Sequence, residues 1–120
     1  MHWTKIAALF MLLAVALGAF GGHALRGKLD GYGMDIYKTA NLYHFIHALG
    51  LFMIGWLTQI SSDPKINLAG IFLTAGIILF SGSLYLLAVS GQKFWGAVTP
   101  LGGLSFMIGW GLIIFSKLVP

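Results

Sequence analysis

The chain has 120 residues, of which 58% are hydrophobic and 8% are charged, with a formal net charge of +4. Soluble domains carry about 25% charged residues, so this composition and a mean hydropathy of +0.90 exclude a soluble domain, a disordered chain and a nucleic-acid-binding protein. The lack of cysteine excludes disulfides, thiolate metal ligands and thiol nucleophiles.

Four apolar segments predict four membrane-spanning helices, since a span takes about 20 residues. They cover residues 3–24, 39–60, 66–89 and 97–119. A backbone in lipid must satisfy its own hydrogen bonds, which favours helices. The first segment is longer than the apolar region of a signal peptide, so we interpret it as a retained helix. The prediction is an all-α integral membrane four-helix bundle, one domain over residues 1–120.

The connections are short and carry helix-boundary residues. Asp35 is expected to cap the second helix, Pro64 to begin the third, and Pro100 to lie in the first turns of the fourth. Cations divide almost evenly between the two predicted sides, three against four, which leaves the orientation open.

A short motif occurs twice. The sequence Phe-Met-Ile-Gly-Trp stands at residues 52–56 and again at 106–110, in the second and fourth helices. This pattern favours two hairpins in parallel repeat, related by a rotation near 180° about the membrane normal. In that arrangement the two copies lie at equal depth. The alternative is coincidence within an apolar alphabet.

Polar side chains are predicted to gather at the membrane side opposite the termini. The cluster comprises His23, Asn41, His44, His47, Ser81, Ser83, Tyr85 and Thr99. Three interpretations stay open: a hydrogen-bonded latch between helices, a small-ligand, quinone or proton site, and haem or metal ligation by histidine. The first is preferred, so no catalytic residue, metal ligand or cofactor is assigned.

Two contacts within this cluster are expected. His23 and His47 should lie within one or two side-chain lengths of each other, since the first two helices are antiparallel neighbours. Tyr85 should point inward and bond to His47, His23, Thr99 or a backbone carbonyl of the first two helices.

Glycines in the spans are predicted to let helices approach closely. The candidates are Gly18, Gly22, Gly55, Gly102, Gly103 and Gly109. The aromatic residues Trp3, Trp56, Trp95, Trp110, Tyr32, Tyr37 and Tyr43 are interpreted mostly as interface residues.

Several motifs together resemble a known family. Residues 17–25 resemble the GAFGAHG-type motif of the YgdD/YwdK-like family of small four-helix membrane proteins, with Gly22 in place of an alanine. The pair Thr39-Ala40, the tyrosine and histidine pattern of residues 43–49, and residues 80–88 and 99–103 are similar to further motifs of this family. The position of His44 is more often glutamine there, which favours His23 and His47 for a shared role. The resemblance implies a four-span bacterial inner-membrane protein with relatives in eukaryotes and no assigned activity.

The sequence therefore predicts a non-enzymatic, multi-pass protein of the bacterial inner (plasma) membrane. The preferred function is an accessory or assembly subunit that packs beside a larger membrane complex. Its expected partners are the lipid bilayer and a membrane protein or a second copy of the chain, without nucleic acid. The alternative is a small-ligand, quinone or proton transport site at the polar cluster.

Overall fold

The computed structural model describes residues 2–118, which form four helices and no strand. They are α1 (Trp3–His23), α2 (Gly31–Ile60), α3 (Pro64–Ser90) and α4 (Phe94–Ile114), each long and apolar enough to cross a membrane. The predicted all-α, four-span class is confirmed.

The helices pack in sequence order, and the bundle is flattened. α1 packs mainly on α2, α2 on α3, and α3 on α4, and the Cα atoms extend over 52 × 26 × 17 Å. Within the most apolar stretch of each helix, 50% of the residues of α2 are buried, against 17% in α1 and 22% in α4. α2 is therefore the central helix, and α1 and α4 are the outer ones.

α2 begins at Gly31, eight residues before the predicted Thr39. Its cap is Asp30, whose carboxylate accepts a hydrogen bond of 2.6 Å from the backbone N–H of Gly33, and not Asp35, which lies exposed within the helix. The added turns are too polar for a span, but the buried Tyr37 anchors them by donating to the carbonyl of Leu17.

α4 also differs from the predicted boundaries, because it begins at Phe94 instead of Ala97. It ends at Ile114, five residues before the predicted Val119, which lies outside the described residues. Pro100 consequently lies inside the helix, beyond its first turn. α3 begins at Pro64 and contains a π-helical segment, Ile77–Gly82.

Four of the six predicted packing glycines lie against a neighbouring helix. A Cβ at Gly18 would meet the Asn41 amide, and one at Gly55 would meet Thr4. Gly102 and Gly109 of α4 face α3 in the same way. The prediction is wrong for Gly22, which has nothing within 4 Å, and Gly103 has only a loose contact with Phe80. Gly22 is therefore not packed against another helix, whereas Gly103 lies at the edge of the α3–α4 contact.

The repeated motif occupies equivalent places in the two hairpins. Gly55 lies five residues before the last residue of α2, and Gly109 lies five residues before the last residue of α4. Gly55 packs on Trp3, which in turn covers Gly70 of α3, while Gly109 packs on Ala69. Both copies therefore lie near one level of α3. The rotation that relates the hairpins stays a prediction.

Replacing Gly102 by alanine should destabilise the α3–α4 contact. The new Cβ would collide with the backbone at Leu79 and Phe80, which cannot move aside as a side chain can, and such overpacking costs about 1–3 kcal/mol. Gly111→Ala is the matched control on the same helix, because nothing lies within 4 Å of its Cβ position. Thermal unfolding in detergent should show a lower Tm for Gly102→Ala alone. Equal Tm values for the two variants would contradict this packing.

Asp63 holds together the ends of three helices. Its carboxylate accepts from the backbone N–H of Lys65 at 2.9 Å, which caps α3, and from that of Lys117 at 2.7 Å, beyond the end of α4. Ser61, after α2, donates to the carbonyl of Lys117. These backbone donors, with Lys117 contributing most, hold the pKa of Asp63 below its ordinary value.

The clamp that the Asp63 carboxylate forms with the backbone N–H groups of Lys65 and Lys117 should be lost only in acid. Because folding lowers the pKa of Asp63, its stabilising effect is complete above the ordinary carboxyl pKa of about 3.9 and disappears as the pH falls through the lowered value. The amide proton resonance of Lys117, followed by NMR in micelles, should titrate below that ordinary value. In Asp63→Asn the titration should be absent. A titration midpoint at or above the ordinary carboxyl pKa would show that Asp63 does not hold Lys117 in this way.

Candidate functional site

Asn41 of α2 connects three helices near the middle of the bundle. Its Nδ2 donates at 3.0 Å to the carbonyl of Ala14 on α1 and at 3.0 Å to the hydroxyl of Tyr85 on α3. The Ala14 carbonyl can only accept, so this contact fixes which end of the amide is nitrogen. Gly18 makes room for the amide oxygen, since a side chain there would occupy its place.

His44 lies one turn further along α2 and is 3% exposed. Its Nδ1 lies 3.0 Å from the Tyr85 hydroxyl, and its ring meets Phe10 of α1 edge-on. At about 1.5 Å per residue, His44 lies about 20 Å along α2 from Gly31, close to the midpoint of this 30-residue helix. The predicted position near the start of the second helix is wrong, because α2 starts earlier than its hydropathy indicated.

The hydrogen bonds at Tyr85 indicate which ring nitrogen of a neutral His44 carries the proton. The hydroxyl already accepts from Asn41, so its single proton is free for an acceptor, and His44 Nδ1 is in place to take it. The proton of the imidazole is then on Nε2. That atom is buried and has no hydrogen-bond partner among the described residues; the carbonyl of Phe10 faces the ring without reaching hydrogen-bond geometry.

His47 is bonded at both ring nitrogens. Nδ1 lies 2.8 Å from the carbonyl of Tyr43, and Nε2 accepts from the indole N–H of Trp110 at 3.0 Å. The imidazole stacks on Phe106, with ring centroids 3.6 Å apart. A neutral His47 protonated on Nδ1 satisfies every one of these contacts, so this side chain links α2 to α4.

The other predicted cluster residues divide into three locations. Ser83 and Thr99 meet at 2.6 Å and join α3 to α4. Ser81 is fully buried in the π-helical segment, and its hydroxyl lacks a partner among the described residues. His23 is the exposed last residue of α1.

The expected proximity of His23 and His47 is wrong. Leu17 of α1 is level with Tyr37, through the bond between them, so His23 is level with the first turn of α2. His47 lies about 24 Å along α2 from Gly31, at about 1.5 Å per residue. Tyr85 points inward, but its partners are Asn41 and His44 and none of the predicted groups.

Three aromatic residues that the sequence assigned to the interface belong to the interior. Trp3 is 2% exposed, donates to Asn67 at 2.8 Å and covers Gly70. Tyr37 and Trp110 also hydrogen-bond within the bundle. Each of these aromatic side chains packs on a glycine: Trp3 on Gly70, Tyr37 on Gly21 and Trp110 on Gly50. The sequence contains these glycines, but it does not show which aromatic residue each of them faces.

Residues 2–118 contain no group of three histidine, cysteine, aspartate or glutamate side chains placed to hold a metal ion. The polar groups of α2 instead link this helix to each of the other three: Asn41 to α1, His44 to α3 and His47 to α4.

Comparison with known proteins places this arrangement in a family. A profile described as "Protein of unknown function (DUF423)" matches residues 17–103. The chain belongs to the DUF423 family. It is 46% identical over 110 residues to the UPF0382 membrane protein YwdK of Bacillus subtilis, covering 91% of this chain and 89% of that protein.

Other relatives agree with this placement. A UPF0382 membrane protein of Staphylococcus epidermidis is 43% identical over 113 residues, covering 94% of this chain and 92% of the relative. No solved structure matches the chain. This DUF423 protein is thus a small membrane protein of an uncharacterised family, which confirms the resemblance drawn from its motifs.

Removing the indole donor at Trp110 should destabilise the bundle. Trp110→Phe keeps an aromatic ring but leaves the buried Nε2 of His47 without a partner, a loss of about 1–3 kcal/mol. Trp56→Phe is the matched control, because Trp56 occupies the same position in the other copy of the motif and is 61% exposed. Urea or thermal unfolding in detergent should separate the two variants. Similar losses in both would show that the bond to His47 contributes nothing.

Proposed function

We propose that this DUF423 protein is a non-enzymatic component of the bacterial inner (plasma) membrane that packs beside a larger membrane complex. Most polar side chains of its spans form hydrogen bonds between its own helices, as expected of a latch that holds the bundle together. Function by association therefore depends on the outer faces of α1 and α4.

The observation that supports this proposal is the outward face of α4. Gly103, Met107 and Gly111 follow one another at four-residue spacing, so they share a face. Met107 is 72% exposed, nothing lies within 4 Å of a Cβ at Gly111, and Gly103 has only the loose contact with Phe80. Glycine in a helix costs about 1 kcal/mol relative to alanine, and packing among residues 2–118 offers no compensation at Gly111. Close approach of a helix from another subunit would provide it.

The test is a bulky substitution at this face. Gly111→Leu should leave the bundle folded, because its side chain has open space, but should block a helix from outside. Ala8→Leu adds similar bulk at an exposed position of α1 and serves as the control. After mild detergent extraction at native expression levels, native gels should show a large species for wild type and Ala8→Leu, and a free chain for Gly111→Leu.

Two results would overturn the accessory role. One is wild-type protein that migrates only as a free species of its own mass. The other is co-purification of two differently tagged copies with no further component, which would replace the accessory role by self-association.

A ligand site at His44 is the second candidate, and it is supported by the buried Nε2–H of this histidine, which has no acceptor among residues 2–118. A ligand with a carbonyl oxygen and an apolar ring, such as a quinone, would complement this donor and the ring of Phe10. The proposed site consists of His44, Tyr85 and Asn41 and lies near the midpoint of α2.

Tyr85→Phe separates the latch from the ligand site. In a latch the variant should lose about 1–2 kcal/mol of stability, because Asn41 and His44 lose their shared partner. If these residues instead form a ligand site, Tyr85→Phe should abolish the increase in Tm that a short-chain quinone gives. The Tm of the protein without quinone should then scarcely change. Tyr32→Phe, at a 73% exposed position, is the control. A wild-type Tm that no quinone raises would remove this second candidate.

A further inference from the structure

A cavity of about 760 Å³ opens at the end of the bundle opposite the termini. It lies between the loop that precedes α2, the first turns of α2, the last turns of α3 and the start of α4. Cavities of about 300–1,000 Å³ are typical of small-molecule sites. Asn41, His44, His47 and their hydrogen-bond partners are absent from its lining, so it is separate from the polar network around His44.

Two cations from different connections line this cavity. Lys28 precedes α2 and Lys93 precedes α4, and the only acidic residue of the lining is Asp30. The Asp30 carboxylate is directed to the backbone N–H of Gly33, where it caps α2. The lining therefore carries a net charge of +1, from two lysines and one aspartate, and the positive end of the α2 dipole adds to it.

The rest of the lining is apolar on the side toward the membrane. Leu29, Ile36 and Leu87 form part of the wall, and Gly96 leaves space beside Leu87. The exposed ring of Tyr32 also lines the cavity, as expected of an aromatic residue at headgroup depth. Since α1 and α3 both end near this level, the lysines lie at the membrane surface and the apolar wall continues toward the hydrocarbon.

We propose that this cavity binds the headgroup and upper acyl chains of an anionic phospholipid. A phosphate or phosphoglycerol group pairs with Lys28 and Lys93, while Ile36 and Leu87 contact the acyl chain. Basic pockets between transmembrane helices recognise lipid headgroups by this combination of charges and apolar contact. A free phosphate shares the headgroup chemistry but lacks the apolar part, so it should bind far more weakly.

Native mass spectrometry of the full chain, delipidated and then mixed with equal amounts of phosphatidylglycerol and phosphatidylcholine, tests the proposal. Wild type should retain phosphatidylglycerol over phosphatidylcholine by at least tenfold, because each lysine near a membrane surface contributes about fivefold. The double variant Lys28→Gln/Lys93→Gln should reduce this ratio to near one. The double variant Arg26→Gln/Lys38→Gln is the charge-matched control, since these residues lie on the same side but outside the lining.

Three results would overturn the lipid site. They are equal retention of the two lipids by wild type, equal losses in both double variants, and displacement of bound phosphatidylglycerol by millimolar inorganic phosphate, which would indicate a site for the free anion. Thermal unfolding of both double variants verifies that they are folded. None of these readouts depends on association through α4 or on the His44 site.

Discussion

Hydrocarbon offers no hydrogen-bond partners, so the polar side chains of α2 within the bilayer must find their partners inside the protein. This constraint organises the bundle. Asn41 reaches the backbone of α1, His44 reaches Tyr85 on α3, and His47 reaches Trp110 on α4. Each bond is worth only about 0.6–2 kcal/mol in a membrane, but each one sets the register of a different neighbour. α2 is central because it carries the polar groups that the other three helices must satisfy.

The two buried histidines of α2 differ in how many of their ring nitrogens are hydrogen-bonded. His47 is bonded at both nitrogens and stacked on Phe106, which suits a fixed structural link. Within the described part of the chain, His44 is bonded at Nδ1 alone, and its buried Nε2 has no partner. An unsatisfied buried donor is costly. The π-helical segment of α3 is a second irregularity, since the buried Ser81 hydroxyl in it also has no partner among those residues. Such irregularities often accompany functional sites, so His44 is where a ligand proposal has physical support.

The three proposals concern separate parts of the molecule. Association depends on the outward glycines of α4, a small ligand on the centre of α2, and an anionic lipid on the lysines at the loop end. The two copies of the repeated motif place their tryptophans in different surroundings. Trp56 is 61% exposed, whereas the indole N–H of Trp110 donates to His47 of α2.

The sequence predicted the class, the number of spans and the family correctly, because hydropathy over about 20 residues and several ordered motifs can be recognised without a structure. It also brought Asn41, His44 and Tyr85 into one cluster, since polar residues in lipid must meet. Which polar groups pair depends on how the helices pack, so the pairs could not be predicted from the sequence. Hydropathy does not register the polar first turns of α2, so the start of that helix was misplaced, and with it the positions of His44 and His47 along the helix. His23 was grouped with them for that reason, and Trp3, Tyr37 and Trp110 were assigned to the surface because an aromatic side chain fits either environment until the glycine that faces it is known.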